Sequence, residues 1–148
     1  MLMELKNNPG LLLHKIGALM ERASDQVLFD EFGIGFSQFK ILFALQHHQD
    51  VQQKQIAHFL GQTEASVSRQ IKLMKAAKFI EIRLGSDDKK KHHITLTARG
   101  SGVAKDALGI LNAHYEPILA VLSAHEQLDL APKLSKIHDR LESDCRAS

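Results

Sequence analysis

Between Gln53 and Thr97 the spacing of apolar residues changes from helical to alternating, and that switch restricts the chain to few architectures. In "QKQIAHFLG", Ile56, Ala57 and Leu60 share one helical face, and Gly61 stops the run. "QTEASVSRQIKLMKAAKF" follows at once, with Thr63 as N-cap and an apolar row at Val67, Ile71 and Met74. The period then drops to two. "FIEIRL" puts Ile80 and Ile82 on one side of a strand and Glu81 and Arg83 on the other. "GSDD" has turn chemistry, and "HHITLT" is the returning strand, so residues 80 to 97 form a β-hairpin with lysines at its tip.

The flanks are helical. "PGLLLHKIGALMERASDQVLFDEFG" carries Leu12, Ile16, Leu19, Ala23 and Val27 on a stripe that ends at Gly33. "FSQFKILFALQHH" opens with Ser37 as the expected N-cap, followed by Phe39, Leu42, Phe43 and Leu45. After Thr97 the apolar series from Val103 to Leu122 sustains a long helix that Pro117 strains or bends. "SAHE", Ser123 to Glu126, reads as a capping box opening a last helix with Leu128, Leu134, Ile137 and Leu141, and Pro132 lies within it. Neither an internal repeat nor a low-complexity linker appears. The fold class expected is mainly α with a small β-hairpin, a winged helix-turn-helix lobe flanked by N- and C-terminal helices.

Charge follows this order. Net charge is only +2, but residues 66 to 99 hold nine Lys/Arg against three acids, a local +6. The remainder, with ten bases and fourteen acids, is −4. A basic middle between acidic ends points one face at a polyanion. The major groove of duplex DNA admits one α-helix whose N-terminal residues reach base edges. The Thr63 helix starts with short side chains, Ala65, Ser66 and Ser68, then presents Arg69, Gln70 and Lys72. Arg69 can reach guanine edges or phosphate; Lys72 and Lys75 suit phosphate, and the helix N-terminus attracts one too. Glu64 in the first turn complements the helix dipole. Arg83 and the wing-tip Lys89, Lys90 and Lys91 add salt-sensitive, sequence-independent attraction, with Asp87 and Asp88 shaping the loop. Double-stranded DNA is therefore the expected partner, contacted by Thr63, Ala65, Ser66, Ser68, Arg69, Gln70, Lys72, Arg83, Lys89, Lys90 and Lys91, with Asp88 as the wing-shaping residue.

With "QKQIAHFLGQTEASVSRQIKLM", "FIEIRLGSDDKKKHHITLT" and "LTARG" in this order, and matching helices on both sides, the chain resembles the multiple-antibiotic-resistance regulator (MarR) family of bacterial and archaeal winged-helix transcription factors. The resemblance covers nearly the whole chain. The family's wing usually carries Asp, one residue, then Arg; Asp88 and Lys90 stand at those positions. Lysine lacks the bidentate fork of arginine, so weaker minor-groove reading is expected. The family usually places Gly where this chain has Lys78, and often Arg where it has Ile82. The resemblance implies a homodimer built from the first and last two helices, with two lobes straddling a pseudo-palindromic site and repression relieved by a small molecule. Independently, the stripe from Val103 to Leu122 is too apolar for a small lobe to cover alone. The organisation expected is one domain over 1–148, with dimerisation helices at 1–33 and 101–148 and the DNA-binding lobe at 36–99. A small-molecule effector would sit in a crevice lined by residues such as His14, Phe36, Phe39 and Phe43, the phenylalanines serving equally as core.

Other classes fit less well. The nine histidines show no i, i+4 pair and no Cys/His ligand spacing, so neither metal nor cofactor is expected. Cys145, the single cysteine, excludes an internal disulfide framework and fits a reducing cytoplasm. No apolar run approaches the roughly 20 residues that span a bilayer, and "MLMELKNNPG" has no secretory pattern. Without a phosphate-binding glycine loop or nucleophile elbow, an enzyme is not expected. The remaining rival is a winged-helix dimer that binds another protein and no DNA, which would have no need of the +6 segment.

Overall fold

The computed structural model describes residues 6–48, 50–85 and 92–147. Among them are six helices and one antiparallel hairpin: α1 (Pro9–Phe32), α2 (Phe36–His47), α3 (Gln53–Leu60), α4 (Glu64–Ala76), β1 (Ile80–Leu84), β2 (His92–Leu96), α5 (Ala98–Leu119) and α6 (Ala124–Ala147). This is the mainly α, winged helix-turn-helix architecture that the periodicity implies. The chain divides into two compact units, Met1–Leu111 and Asn112–Ser148.

Helix boundaries in the first unit follow local chemistry with one exception. Asn8 caps α1, its side-chain oxygen accepting the Leu11 N–H at 3.1 Å, and Pro9 occupies the first turn, where a missing N–H costs nothing. Gly33 (φ 66°) and Gly61 (φ 61°) end α1 and α3 in the left-handed conformation that glycine adopts without a Cβ penalty. The exception is α2, whose N-cap is Gly35 and not Ser37. The Asp25 carboxylate, arriving from α1, accepts the Phe36 N–H at 2.8 Å, and the Gln38 side chain accepts from Gly35 N–H at 3.3 Å. A tertiary acceptor satisfies the free N–H groups, so the helix starts two residues early and Ser37 lies inside its first turn.

The core of this unit lies where α2, α4, the hairpin and the first half of α5 meet. Leu28, Ile34, Ile41, Leu42, Val67, Met74, Ile80, Ile94, Ala104 and Ala107 are completely or almost completely withdrawn from solvent. In the hairpin Ile80 pairs with Leu96, Ile82 with Ile94 and Leu84 with His92. One pairing lies outside it: the Ile94 N–H donates to the Val51 carbonyl at 2.9 Å, tying the segment between α2 and α3 to β2. His93 reinforces that tie, its Nδ1–H donating to the Asp50 carbonyl at 2.8 Å.

In the second unit, Ser123 and Glu126 form the reciprocal capping box that opens α6: the Ser123 N–H reaches Glu126 Oε2 at 2.8 Å, and the Glu126 N–H reaches Ser123 Oγ at 3.3 Å. Both α5 and α6 run through their prolines, Pro117 and Pro132, without ending there. None of the described α6 residues is buried, and Leu128 is 76% exposed. No helix among the described residues is long and apolar enough to cross a membrane.

Candidate nucleic-acid interface

Helix α4 is anchored by one face and free on the other. Val67, Ile71 and Met74 are buried at helical spacing, while Ala65, Arg69, Lys72, Leu73 and Ala76 are exposed. Arg69 and Lys72 therefore stand on the outer face, along the middle of the helix. Ser66, Ser68 and Gln70 are half-buried along its flanks. Thr63 is exposed but employed as N-cap, its Oγ1 accepting the Ser66 N–H at 3.2 Å. Gln53 of α3 steadies the same end, its amide donating to the Glu64 carbonyl at 3.2 Å. The front of α4 is thus pinned by two polar contacts and leaves the outer side chains unencumbered.

The rear of α4 is held by a different device. The Phe79 N–H donates to the Met74 carbonyl at 2.9 Å and the Lys78 N–H to the Lys75 carbonyl at 3.0 Å, which is the paired bonding of a Schellman turn. Such a turn needs a left-handed residue, and Lys78 supplies it with φ 62°. Thr97 then locks the turn to the hairpin's exit. Its Oγ1 donates to the Lys78 carbonyl at 2.7 Å and accepts from the Gly100 N–H at 3.0 Å, and its own N–H donates to the Phe79 carbonyl at 3.0 Å. Arg99 lies over the Phe79 ring, 5.2 Å from its centroid. The motif "LTARG" is therefore a structural junction, which its sequence spacing did not reveal.

Arg83 projects to solvent from β1 but is not a free cation, since its Nη2 donates to Glu81 Oε2 at 3.0 Å, two residues back on the same face of the strand. The alternation of "FIEIRL" already contained that pairing. Lys75, Lys78, Arg83 and Arg99 border an open groove of about 610 Å³ floored by Ile80 and Ile82. The wing-tip Lys89, Lys90 and Lys91 and the shaping Asp88 lie outside the described residues.

The aromatic residues assigned to an effector crevice form a ladder along α2. Phe36 stacks on Phe39 with centroids 5.9 Å apart, Phe39 lies 5.9 Å from Phe43, and Phe43 meets the His47 ring edge at 4.6 Å. Phe39 is buried; Phe36 and Phe43 are half-buried. Lys40 covers the Phe36 ring at 5.1 Å and pairs with Glu21 of α1 at 3.4 Å. His14 is exposed on α1. The cavities around the hairpin and between α2 and α3 are lined by other residues. Among the described residues no three His, Cys, Asp or Glu side chains converge as a metal ion would require.

Against known proteins, the sequence profile of the MarR family matches residues 32–91, which contain α2, α3, α4 and β1. That match spans 60 of the chain's 148 residues and takes in its helix-turn-helix. Solved structures extend the likeness to the flanking helices. A MarR/EmrR family transcriptional regulator from Acinetobacter sp. ADP1 superposes with a TM-score of 0.79 at 23% identity, covering 94% of this chain and 98% of that one. Wild-type MarR from E. coli, in its apo form, gives 0.78 at 19% identity over 88% and 96% of the two chains. The S. aureus MepR–DNA complex gives 0.76 at 24% identity over 90% and 98%. At these identities the likeness is one of fold. No curated protein sequence matches the chain.

Proposed function

We propose that this chain is a sequence-specific double-stranded-DNA-binding transcription regulator of the MarR type. The observation that carries the reading is the outer face of α4, where Arg69 and Lys72 stand exposed opposite a buried Val67–Ile71–Met74 stripe, on a helix pinned at both ends. A helix held this way can enter a major groove without paying to order itself. The fold it shares with MepR, a structure of which is bound to DNA, supports the same use.

The regulator acts as a cytoplasmic homodimer. Its support is the apolar surface left outside on α1, where Ile16 and Leu19 are exposed three residues apart, and on α6, where Leu134, Ile137 and Leu141 are exposed at spacings of three and four. Contiguous apolar surface of this kind is what subunit interfaces bury. Two such lobes place their recognition helices about 34 Å apart, one turn of DNA, so the operator is an inverted repeat. Binding blocks a promoter and is relieved by a small molecule, for which the Phe36–Phe39–Phe43 ladder is the candidate contact surface.

Selection of bound duplexes from a random library, retested across a salt series, tests this reading. An enriched inverted repeat whose affinity falls steeply with salt is expected. Arg69→Ala should abolish preference for that site, while Lys72→Ala weakens all duplexes evenly. Retention of no duplex at any salt refutes DNA binding and favours a protein-binding role for the winged helix.

A further inference from the structure

The outer face of α4 carries a side chain that the charge pattern does not explain. Leu73 is 58% exposed, and among the described residues it is the exposed large apolar side chain of that helix. A lone exposed leucine on a protein surface is ordinary. This one follows Arg69 by one helical turn, i to i+4, on the side turned away from the buried stripe, and Ala76 is exposed beside it. The same face therefore offers a forked cation and then an apolar patch.

Resting on the DNA-binding reading above, the geometry points to Leu73 as a specificity-determining residue that reads the 5-methyl group of thymine. In the major groove every base edge presents hydrogen-bonding atoms, and thymine alone adds a methyl group. A leucine placed against a purine edge or a cytosine amine covers polar atoms and returns no hydrogen bond. Against a thymine methyl it buries apolar surface from both partners. Four helical residues rise about 6 Å, just under two steps of about 3.4 Å along the duplex. Each half-site consequently carries a thymine about two base pairs from the guanine that Arg69 contacts.

Uracil differs from thymine only by that methyl group, so the test uses the duplex enriched by wild-type protein, with each thymine replaced by deoxyuridine in turn. Wild-type affinity should fall roughly four-fold at the contacted thymine, the worth of one buried methyl, and about fifteen-fold when both half-sites are substituted. Leu73→Ala, whose folding is checked by circular dichroism, should bind thymine and uracil duplexes equally, and Leu73→Met should restore part of the discrimination. Any effect of uracil on duplex shape would burden wild type and variant alike. If wild type ignores the substitution, or Leu73→Ala discriminates as well as wild type, the assignment to Leu73 is wrong while DNA binding stands. If no duplex is retained, both readings fall together.

Discussion

Replacing Gly100 with alanine strikes the junction between α4, the hairpin and α5. An ideal Cβ at Gly100 would lie 1.9 Å from the Phe79 carbonyl oxygen and 2.8 Å from its carbon. The first distance is 1.1 Å inside the 3.0 Å limit that Cβ contacts respect (3.0 minus 1.9), and the obstacle is backbone that cannot rotate aside. Either the first turn of α5 or the Lys78–Phe79 segment must move. Both movements stretch the bonds Thr97 makes to Lys78 and Phe79, at 2.7 and 3.0 Å. Overpacking of this kind costs about 1–3 kcal/mol, and a lost hydrogen bond adds about 1 kcal/mol. Against a gain of up to about 1 kcal/mol from a stiffer unfolded chain, a net loss of about 1–3 kcal/mol is expected, or roughly 2–12 °C in Tm. Gly102 supplies the control. It lies two residues further along the same helix, with nothing within 4 Å of its ideal Cβ. Gly102→Ala should raise stability by about 0.5–1 kcal/mol. The assay is thermal unfolding followed by far-ultraviolet circular dichroism, at one protein concentration because the proposed dimerisation would make Tm depend on it. Equal shifts in the two variants, or a Gly100→Ala protein that melts at or above wild type, would refute the steric argument.

Lys78→Gly should stabilise the lobe by about 0.5–1 kcal/mol in chemical denaturation, since a non-glycine residue at φ 62° carries a Cβ penalty; Lys78→Ala should leave stability near wild type. Glu81→Gln releases Arg83 from its 3.0 Å ion pair, so DNA affinity should rise a few-fold and the log–log salt slope should steepen by about one. An unchanged slope would place Arg83 away from phosphate. The Ser123 N–H and then its hydroxyl hold the Glu126 carboxyl below its ordinary 4.5. A depressed carboxylate pKa stabilises the fold above the ordinary value, and that contribution disappears as pH falls through the lowered one. Helix α6 should therefore begin to lose its capping box below about pH 4.5. In a titration followed by nuclear magnetic resonance, Ser123→Ala should return the Glu126 pKa only part of the way, because the backbone bond persists.

Features encoded by neighbouring residues were legible in the sequence. Gly33 and Gly61 stop their helices, Thr63 caps α4, and Ser123 with Glu126 opens α6, each through contacts within a few positions of chain. The alternation of apolar residues fixed the hairpin's register sides, and the buried row of α4 put Arg69 and Lys72 outside. What stayed hidden depends on distant partners. Ser37 looks like an N-cap until Asp25, 11 residues before Phe36, takes over the capping. The meaning of Thr97 and Gly100 appears only when the end of α4 comes against them, 18 and 19 residues back along the chain in the Thr97 bonds. The ion pair of Arg83 was legible as well, since Glu81 sits two places away on the same strand face.

The Val51–Ile94 pairing, backed by His93 on Asp50, has a mechanical meaning. It joins the root of the wing to the loop that launches α3, while Thr97 joins the wing's exit to the tail of α4. The hairpin is thus clamped at two points to the two halves of the helix-turn-helix. A displacement of the hairpin relative to either helix has to stretch or break one of these bonded contacts, so the wing's position is referenced to α3 and to α4 independently.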